Sequence, residues 1–462
     1  MNKKNLETRP ARLAYRPDID GLRAIAVLGV VAFHSGLPYF PGGFVGVDVF
    51  FVISGFLITG LLSAEFERTG SISLRNFFVR RIRRLLPALA LVVLVTLLIS
   101  AFSMFPRELH RVGKSAQAVA TLVANVHFRN FSGGYFDPST DVMPLLHTWS
   151  LAVEEQYYLV WPLLLLLTHR ILPSRMGGVH HATAVLLIVV CVTSFLSCLW
   201  MTTHDRLSAF YLTQYRAWEF ALGALLSYGA SRIQNRLRGG MGDGLVVVGL
   251  TAILGTMIYY DDRAAFPGTV TLIPVIGSVA VIARGSGKSA VLPSRLLGNR
   301  VIVGIGLISY SLYLWHWPLL ALARDHSLGS RELPRDLILV AVSFGLAWLT
   351  YRYVEQPIRR YRPWVFKSIS GTFRAGMAIS FLLIASAHAL MYWSKGKDAE
   401  LNKVAMQIAP ASLLPTTSDC NQKPDGLSLP PEKGCLIGAA TAPVRLAAWG
   451  DSHAAQLAQL FA

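Results

Sequence analysis

The feature that most constrains this chain is a series of long apolar blocks, each close to the length of a membrane-crossing helix. A crossing needs about 20 mainly apolar residues. Eleven candidate blocks stand near 22–36, 44–64, 85–104, 148–168, 183–202, 211–229, 243–260, 270–284, 301–323, 336–354 and 375–393, the first and eighth being short. They predict an all-α polytopic membrane protein. Composition agrees: 53% of the 462 residues are hydrophobic and only 15% are charged. That balance excludes a set of soluble domains, a disordered chain and a disulfide-rich secreted module.

The net charge is +17. In a soluble protein such an excess would point to nucleic acid; here it is explained by topology, and no nucleic-acid partner is expected. With the N-terminus cytoplasmic, the inner segments 1–23, 65–84, 169–182, 230–242, 284–300 and 355–374 carry 26 Lys and Arg, against nine in the short outer loops. Cytoplasmic loops are the basic ones, so this split predicts an N-in chain with residues 394–462 outside. The first apolar stretch contains Arg23 and His34 and lacks a small-residue cleavage site, so it does not read as a cleaved signal.

Cys191 and Cys198 lie within a span and read as inert core thiols. Cys420 and Cys435 lie in the exported tail, where an oxidising compartment suits a disulfide. Residues 394–443 are rich in Pro, Ser, Thr, Lys and Gly and read as a linker. A strand-like run, Val444–Trp449, leads to Gly450-Asp451-Ser452-His453 and a helical pattern up to Ala462. One strand and one helix cannot bury a core, so 444–462 reads as the start of an α/β domain.

Ionisable groups inside spans are expensive and are functional candidates by default. Arg23 and His34 sit at opposite ends of the first span, about 16 Å apart along a helix. Asp48 begins the second span, Glu154 and Glu155 lie in the outer third of the fourth, and His316 lies in the outer half of the ninth. Four spans thus bring polar groups to one depth. A His–carboxylate pair is what a general base needs, the carboxylate holding the tautomer. The plainer reading is a packed, hydrogen-bonded histidine, with Asp48 and the glutamates facing helix N-termini. At the inner side, Arg80, Arg81, Arg83 and Arg84 crowd the mouth of the third span, as topogenic charge or as a clamp for phosphate. Arg216 and Glu219 are spaced to form an i,i+3 pair fixing helix packing. Tyr310, Tyr313, Trp315 and Trp317 are compatible with an interfacial aromatic belt. No metal site is expected.

Taken together, these residues resemble the membrane acyltransferase 3 family. The resemblance rests on Arg23-x10-His34, the run Gly43–Ile58 containing Asp48 and Ser54, and the Arg-x-x-Arg cluster before Leu85-Leu86-Pro87. It continues through Trp149-Ser150-Leu151-Ala152-Val153-Glu154, Arg216-Ala217-Trp218-Glu219 and Tyr310-Ser311-Leu312-Tyr313-Leu314-Trp315-His316, in order over about 16–360. It implies transfer of an acyl group, by family habit acetyl, from cytoplasmic acyl-CoA to a hydroxyl of an extracytoplasmic glycan, in the bacterial inner membrane. His34 would be the critical histidine and Arg23 its partner. Arg80/Arg83 or Arg81/Arg84 would hold the donor, and Glu154, with Glu155 in reserve, would be the carboxylate. Ser54, Arg216, Glu219, Tyr313 and His316 would support the site. The tail resembles the subgroup carrying an exported SGNH-type domain, best known from O-antigen acetyltransferases. It departs from that pattern: Ser452 maps to the nucleophile, but no D-x-x-H follows it, so no working second site is expected in residues 444–462.

The implied organisation is a cytoplasmic N-terminus (1–21), a membrane acyltransferase domain (22–360), a further transmembrane region (361–393), a linker (394–443) and an incomplete SGNH-type segment (444–462). The competing class is a transporter or flippase of a lipid-linked saccharide, with intramembrane charges lining its path.

Overall fold

The computed structural model describes residues 15–131, 135, 138–171, 176–236, 240–261, 265–284, 292–327 and 330–408. Cys420, Cys435, Ser452 and the segment 444–462 lie outside the described residues. Seventeen α-helices follow in order. The first six are α1 (Pro17–His34), α2 (Gly46–Thr69), α3 (Leu74–Ser103), α4 (Pro106–Ala120), α5 (Ala124–Phe131) and α6 (Thr148–Ile171). Next come α7 (Met176–His204), α8 (Arg206–Tyr211), α9 (Thr213–Arg236), α10 (Gly240–Tyr259), α11 (Leu272–Arg284) and α12 (Leu292–Leu297). The last five are α13 (Arg300–His326), α14 (Leu333–Thr350), α15 (Gln356–Arg360), α16 (Trp364–Lys367) and α17 (Ile369–Ile408). No strand occurs among the described residues, and the chain is an all-α polytopic membrane protein.

All eleven apolar blocks fall on helices. Among the described residues, seven helices are long and apolar enough to cross a membrane, from Gly43–Thr69 to Ile369–Leu401. The four others among the eleven are α1, α6, α9 and α11. The last is only 13 residues long, and α1, α6 and α9 carry Arg23, Glu154, Glu155, Arg216 and Glu219. The polar groups that mark the site also dilute the apolar signal of the helices that hold it.

Two boundaries differ from the sequence reading. The third helix starts at Leu74, not near 85, because Ser73 accepts from the Asn76 N–H as an N-cap and arginine is a good helix former. The arginine cluster therefore lies within α3. Likewise α17 runs to Ile408, into the expected linker, because residues 394–408 are rich in Ala, Glu, Leu, Lys and Met.

Contacts divide the chain into one unit of Met1–Met104 with Arg111–His388, and a second of Phe105–His110 with Ala389–Ala462. The first holds every site residue discussed below. Inside it, α1 packs on α13 and α2 on α9. Small residues let these backbones approach closely, as membrane helices require. A Cβ at Gly306 would stand 1.9 Å from the Asp20 carbonyl oxygen, and one at Gly55 would stand 2.0 Å from that of Phe220. The α1–α13 contact brings two histidines together, and the α2–α9 contact closes a buried charge cluster.

Candidate active site

His34 is the last residue of α1 and is 4% exposed. Its Nδ1 lies 2.9 Å from His316 Nε2 and its Nε2 lies 2.8 Å from the Tyr135 hydroxyl. His316, fully buried on α13, places its Nδ1 2.7 Å from the Tyr313 carbonyl oxygen. A carbonyl only accepts, so His316 Nδ1 carries the proton. With both rings neutral the order is then fixed: His34 Nδ1–H donates to His316 Nε2, and the lone pair of His34 Nε2 faces the Tyr135 O–H. His34 is thus oriented as a base, and its basic nitrogen points at a hydroxyl. Its main-chain carbonyl accepts from Arg324 of α13, whose guanidinium is also paired 2.8 Å from Asp336.

The expected His34–carboxylate pair is not formed. The chain instead holds the imidazole with a second histidine. Asp48 is turned toward α9, where it is paired with Arg216, which is in turn 2.8 Å from Glu219. All three are fully buried. The predicted Arg216–Glu219 pair is therefore present, with Asp48 as a third member. Rings of Phe51, Phe210 and Phe266 lie 5.2–5.9 Å from the guanidinium carbon. The cluster sets one guanidinium between two carboxylates deep between two helices and ties them together.

Glu154 belongs to a different locus. Its carboxylate accepts from Ser54 at 3.1 Å and Tyr158 at 3.0 Å, on the wall of a cavity of about 1350 Å³. Glu155, its neighbour on α6, is half-buried and is not among the cavity's lining residues. Arg23, Arg80, Arg81, Arg83 and Arg84 all line this cavity, as do Glu355 and Tyr310. They are not equivalent. Arg23 is 3.1 Å from Asp20, Arg80 is 3.1 Å from Glu65, and Arg83 donates to Thr372 and to the Ser368 carbonyl. Arg81 lies over the Tyr158 ring at 3.9 Å. Among the described residues, Arg81 and Arg84 form no ion pair. The four lie on one broad face of α3, with 80 and 84 an i,i+4 pair, so the difference is one of partners and not of faces. Arg80 and Arg83 are bonded to the fold, and Arg81 and Arg84 offer their charge to an anion in the cavity.

The cavity lining also includes Ser150 and Tyr313, whose hydroxyls lie 2.7 Å apart. Both also lie within hydrogen-bond distance of the His147 carbonyl oxygen, Tyr313 at 2.9 Å and Ser150 at 3.2 Å, so that Tyr313 donates to the carbonyl when Ser150 donates to Tyr313. His34 and His316 lie behind this wall, with the Tyr313 and His316 ring centroids 5.4 Å apart. The structure brings together His34, His316 and Tyr313, and separately Glu154, Ser54 and the arginines; a hydroxyl pair divides the two sets.

Sequence reasoning missed Tyr135, His147, Glu355 and Arg324. Tyr135 and His147 lie between spans, where no periodic pattern marks them. Glu355 ends a π-helical stretch, Tyr351–Glu355, and accepts from Ser311 at 2.5 Å. Such stretches inside α-helices mark functional positions, but a sequence does not display them. Arg324 was legible only as an outer-loop charge.

A family model described as "Acyltransferase domain" matches residues 16–352, and the chain belongs to this acyltransferase 3 family. It is 32% identical over 398 residues to a putative peptidoglycan O-acetyltransferase, YrhL, of Bacillus subtilis, covering 80% of this chain and 61% of that protein. It is 33% identical to the peptidoglycan O-acetyltransferase OatA of Listeria monocytogenes, covering 75% and 56%. It is 30% identical to the O-acetyltransferase OatA of Staphylococcus aureus, covering 84% and 65%. The chain therefore spans about three fifths of the length of these relatives. No solved structure matches it.

Proposed function

We propose that the chain is a membrane O-acetyltransferase. It moves an acetyl group from acyl-CoA, bound at the arginine end of the cavity, to a hydroxyl of an extracytoplasmic glycan at the His34 end. The observation that carries this reading is the long cavity joining two unpaired guanidinium groups to the wall of the histidine pair. A phosphate-rich donor suits Arg81 and Arg84, because arginine presents a rigid fork to phosphate. The cavity exceeds the usual span of about 300–1,000 Å³ for a ligand site, so it has room for a donor with a long arm. His34 Nε2 takes the proton of the acceptor hydroxyl, which occupies the place where the Tyr135 hydroxyl now lies. The acyl end passes the Tyr313–Ser150 pair to reach it. The basic loops support a cytoplasmic donor side and an N-in orientation in the cytoplasmic membrane. The names of two relatives favour a peptidoglycan-type acceptor over O-antigen.

Mass spectrometry of cell-envelope glycans from cells with and without the protein tests this. O-acetyl ester is expected only with the protein, and its loss in His34→Ala; ester that persists in that variant removes His34 as the base.

A further inference from the structure

Resting on the acyl-transfer reading, we propose that His147 supplies the hydrogen-bond donor for the carbonyl oxygen of the acyl group in flight. His147 lies in the turn before α6 and is 1% exposed. Its peptide and its ring face two different places. The carbonyl oxygen accepts from the Tyr313 hydroxyl, with the Ser150 hydroxyl 2.7 Å from Tyr313, and both residues line the cavity. The ring packs against Tyr313, with centroids 5.5 Å apart, and edge-on to His316 at 5.9 Å. An acyl group that leaves the cavity past Tyr313 for His34 therefore passes this imidazole.

The ring is unusual in its hydrogen bonding. Neither nitrogen makes a well-formed hydrogen bond among the described residues; the nearest acceptor acting on the ring is the Leu314 carbonyl, which Pro318 leaves without a helical donor. A buried, unsatisfied polar group costs about 1–3 kcal/mol, and a phenylalanine would fill the same space without that cost. His34 and His316 hold each other, and His316 Nδ1 is held by carbonyls. The His147 N–H is thus the one imidazole donor of this three-ring cluster with no well-formed hydrogen bond among the described residues, and a better acceptor can draw it from the Leu314 carbonyl.

The step balances. The acceptor oxygen attacks the thioester carbonyl carbon as its proton passes to His34 Nε2. The carbonyl π electrons move onto oxygen, where the His147 N–H donates to the developing negative charge. Collapse restores the C=O bond and breaks the C–S bond. The thiolate takes the proton from His34, leaving ester and free thiol.

The test uses the full chain in detergent with labelled acetyl-CoA and a soluble glycan acceptor, comparing wild type, His147→Phe and His147→Gln. Phenylalanine keeps the aromatic packing and lacks the N–H; glutamine restores a donor that does not titrate. Turnover is expected to fall about 10²–10³-fold in His147→Phe, with the KM for acetyl-CoA unchanged, and to recover most of that loss in His147→Gln. A His147→Phe protein within a few-fold of wild type overturns the inference, and so does a His147→Gln protein as slow as His147→Phe. Wild type that transfers no label would instead refute the acyl-transfer reading. A second measurement stands apart from turnover. In His34→Ala, the infrared band of bound 13C=O acetyl-CoA is expected below its solution wavenumber, and in His34→Ala/His147→Phe it returns toward the solution value; an equal band in both overturns the inference.

Discussion

At the scale of single residues, the site depends on which groups are already committed. His34 has its orientation fixed from three directions: His316, Tyr135 and the Arg324 donor to its carbonyl. Among the inner arginines, Arg80 is ion-paired and Arg83 is hydrogen-bonded, while Arg81 and Arg84 have no ion pair among the described residues, Arg81 stacking on Tyr158. Arg81→Ala and Arg84→Ala should each raise the KM for the donor about 10- to 100-fold, the worth of a charge-assisted hydrogen bond, and leave the melting temperature nearly unchanged. Arg80→Ala should do the reverse, lowering stability by about 1 kcal/mol by leaving the buried Glu65 carboxylate with only the Ser73 N–H, with little change in KM. Steady-state kinetics and thermal unfolding in detergent check both halves. Equal KM effects at all four positions would refute the division of labour. Sequence alone left the two registers open, because a pattern of four arginines does not show which are paired. It also placed His34 near a carboxylate, because depth along a span is legible and rotation about the helix axis is not. Glu154 and His34 belong to the same unit but face different neighbours.

At the scale of elements, short pieces between the long helices hold the roof of the site. Asp205 caps α8, accepting from the Ser208 backbone N–H at 3.1 Å, the Ser208 hydroxyl at 2.6 Å and Arg129 at 2.7 Å. The helix it caps carries Phe210, which stacks on Tyr135 at 4.6 Å. The Ser208 bonds, with Arg129, pull the Asp205 carboxyl down from 3.8 to about 2. A depressed folded pKa stabilises above the unfolded value, so this contribution is complete above about 3.8 and is lost as pH falls through about 2. Asp205→Ala should therefore cost about 1 kcal/mol at neutral pH. The difference from wild type should shrink as unfolding is measured toward pH 2; a constant difference would contradict the assignment. The long helices themselves were legible, since apolar length is a strong signal. These connecting helices were not: α5 and α8 have 8 and 6 residues, too few for periodicity to register. Gly306 and Gly55 stood out no more than any other glycine until the partner helix was seen.

At the scale of the whole molecule, the proposed reaction requires one chain to pass an acyl group across a membrane. The first half of α1 borders the cavity through Ile19, Asp20 and Arg23, and His34 ends the helix, whose 18 residues run from Pro17 to His34, about 27 Å at the helical rise. The general architecture could be read from apolar blocks and basic loops, because the bilayer imposes both. The route between the ends could not, because a cavity is a product of packing between helices distant in sequence. Reconstituted vesicles test the central claim most directly, with acetyl-labelled acetyl-CoA supplied on one face only and a glycan acceptor confined to the other. The account predicts labelled ester on the acceptor across the membrane, dependent on His34 and reversed in neither direction by added salt. Label that stays on the donor's face, or that crosses equally well in His34→Ala, would contradict it.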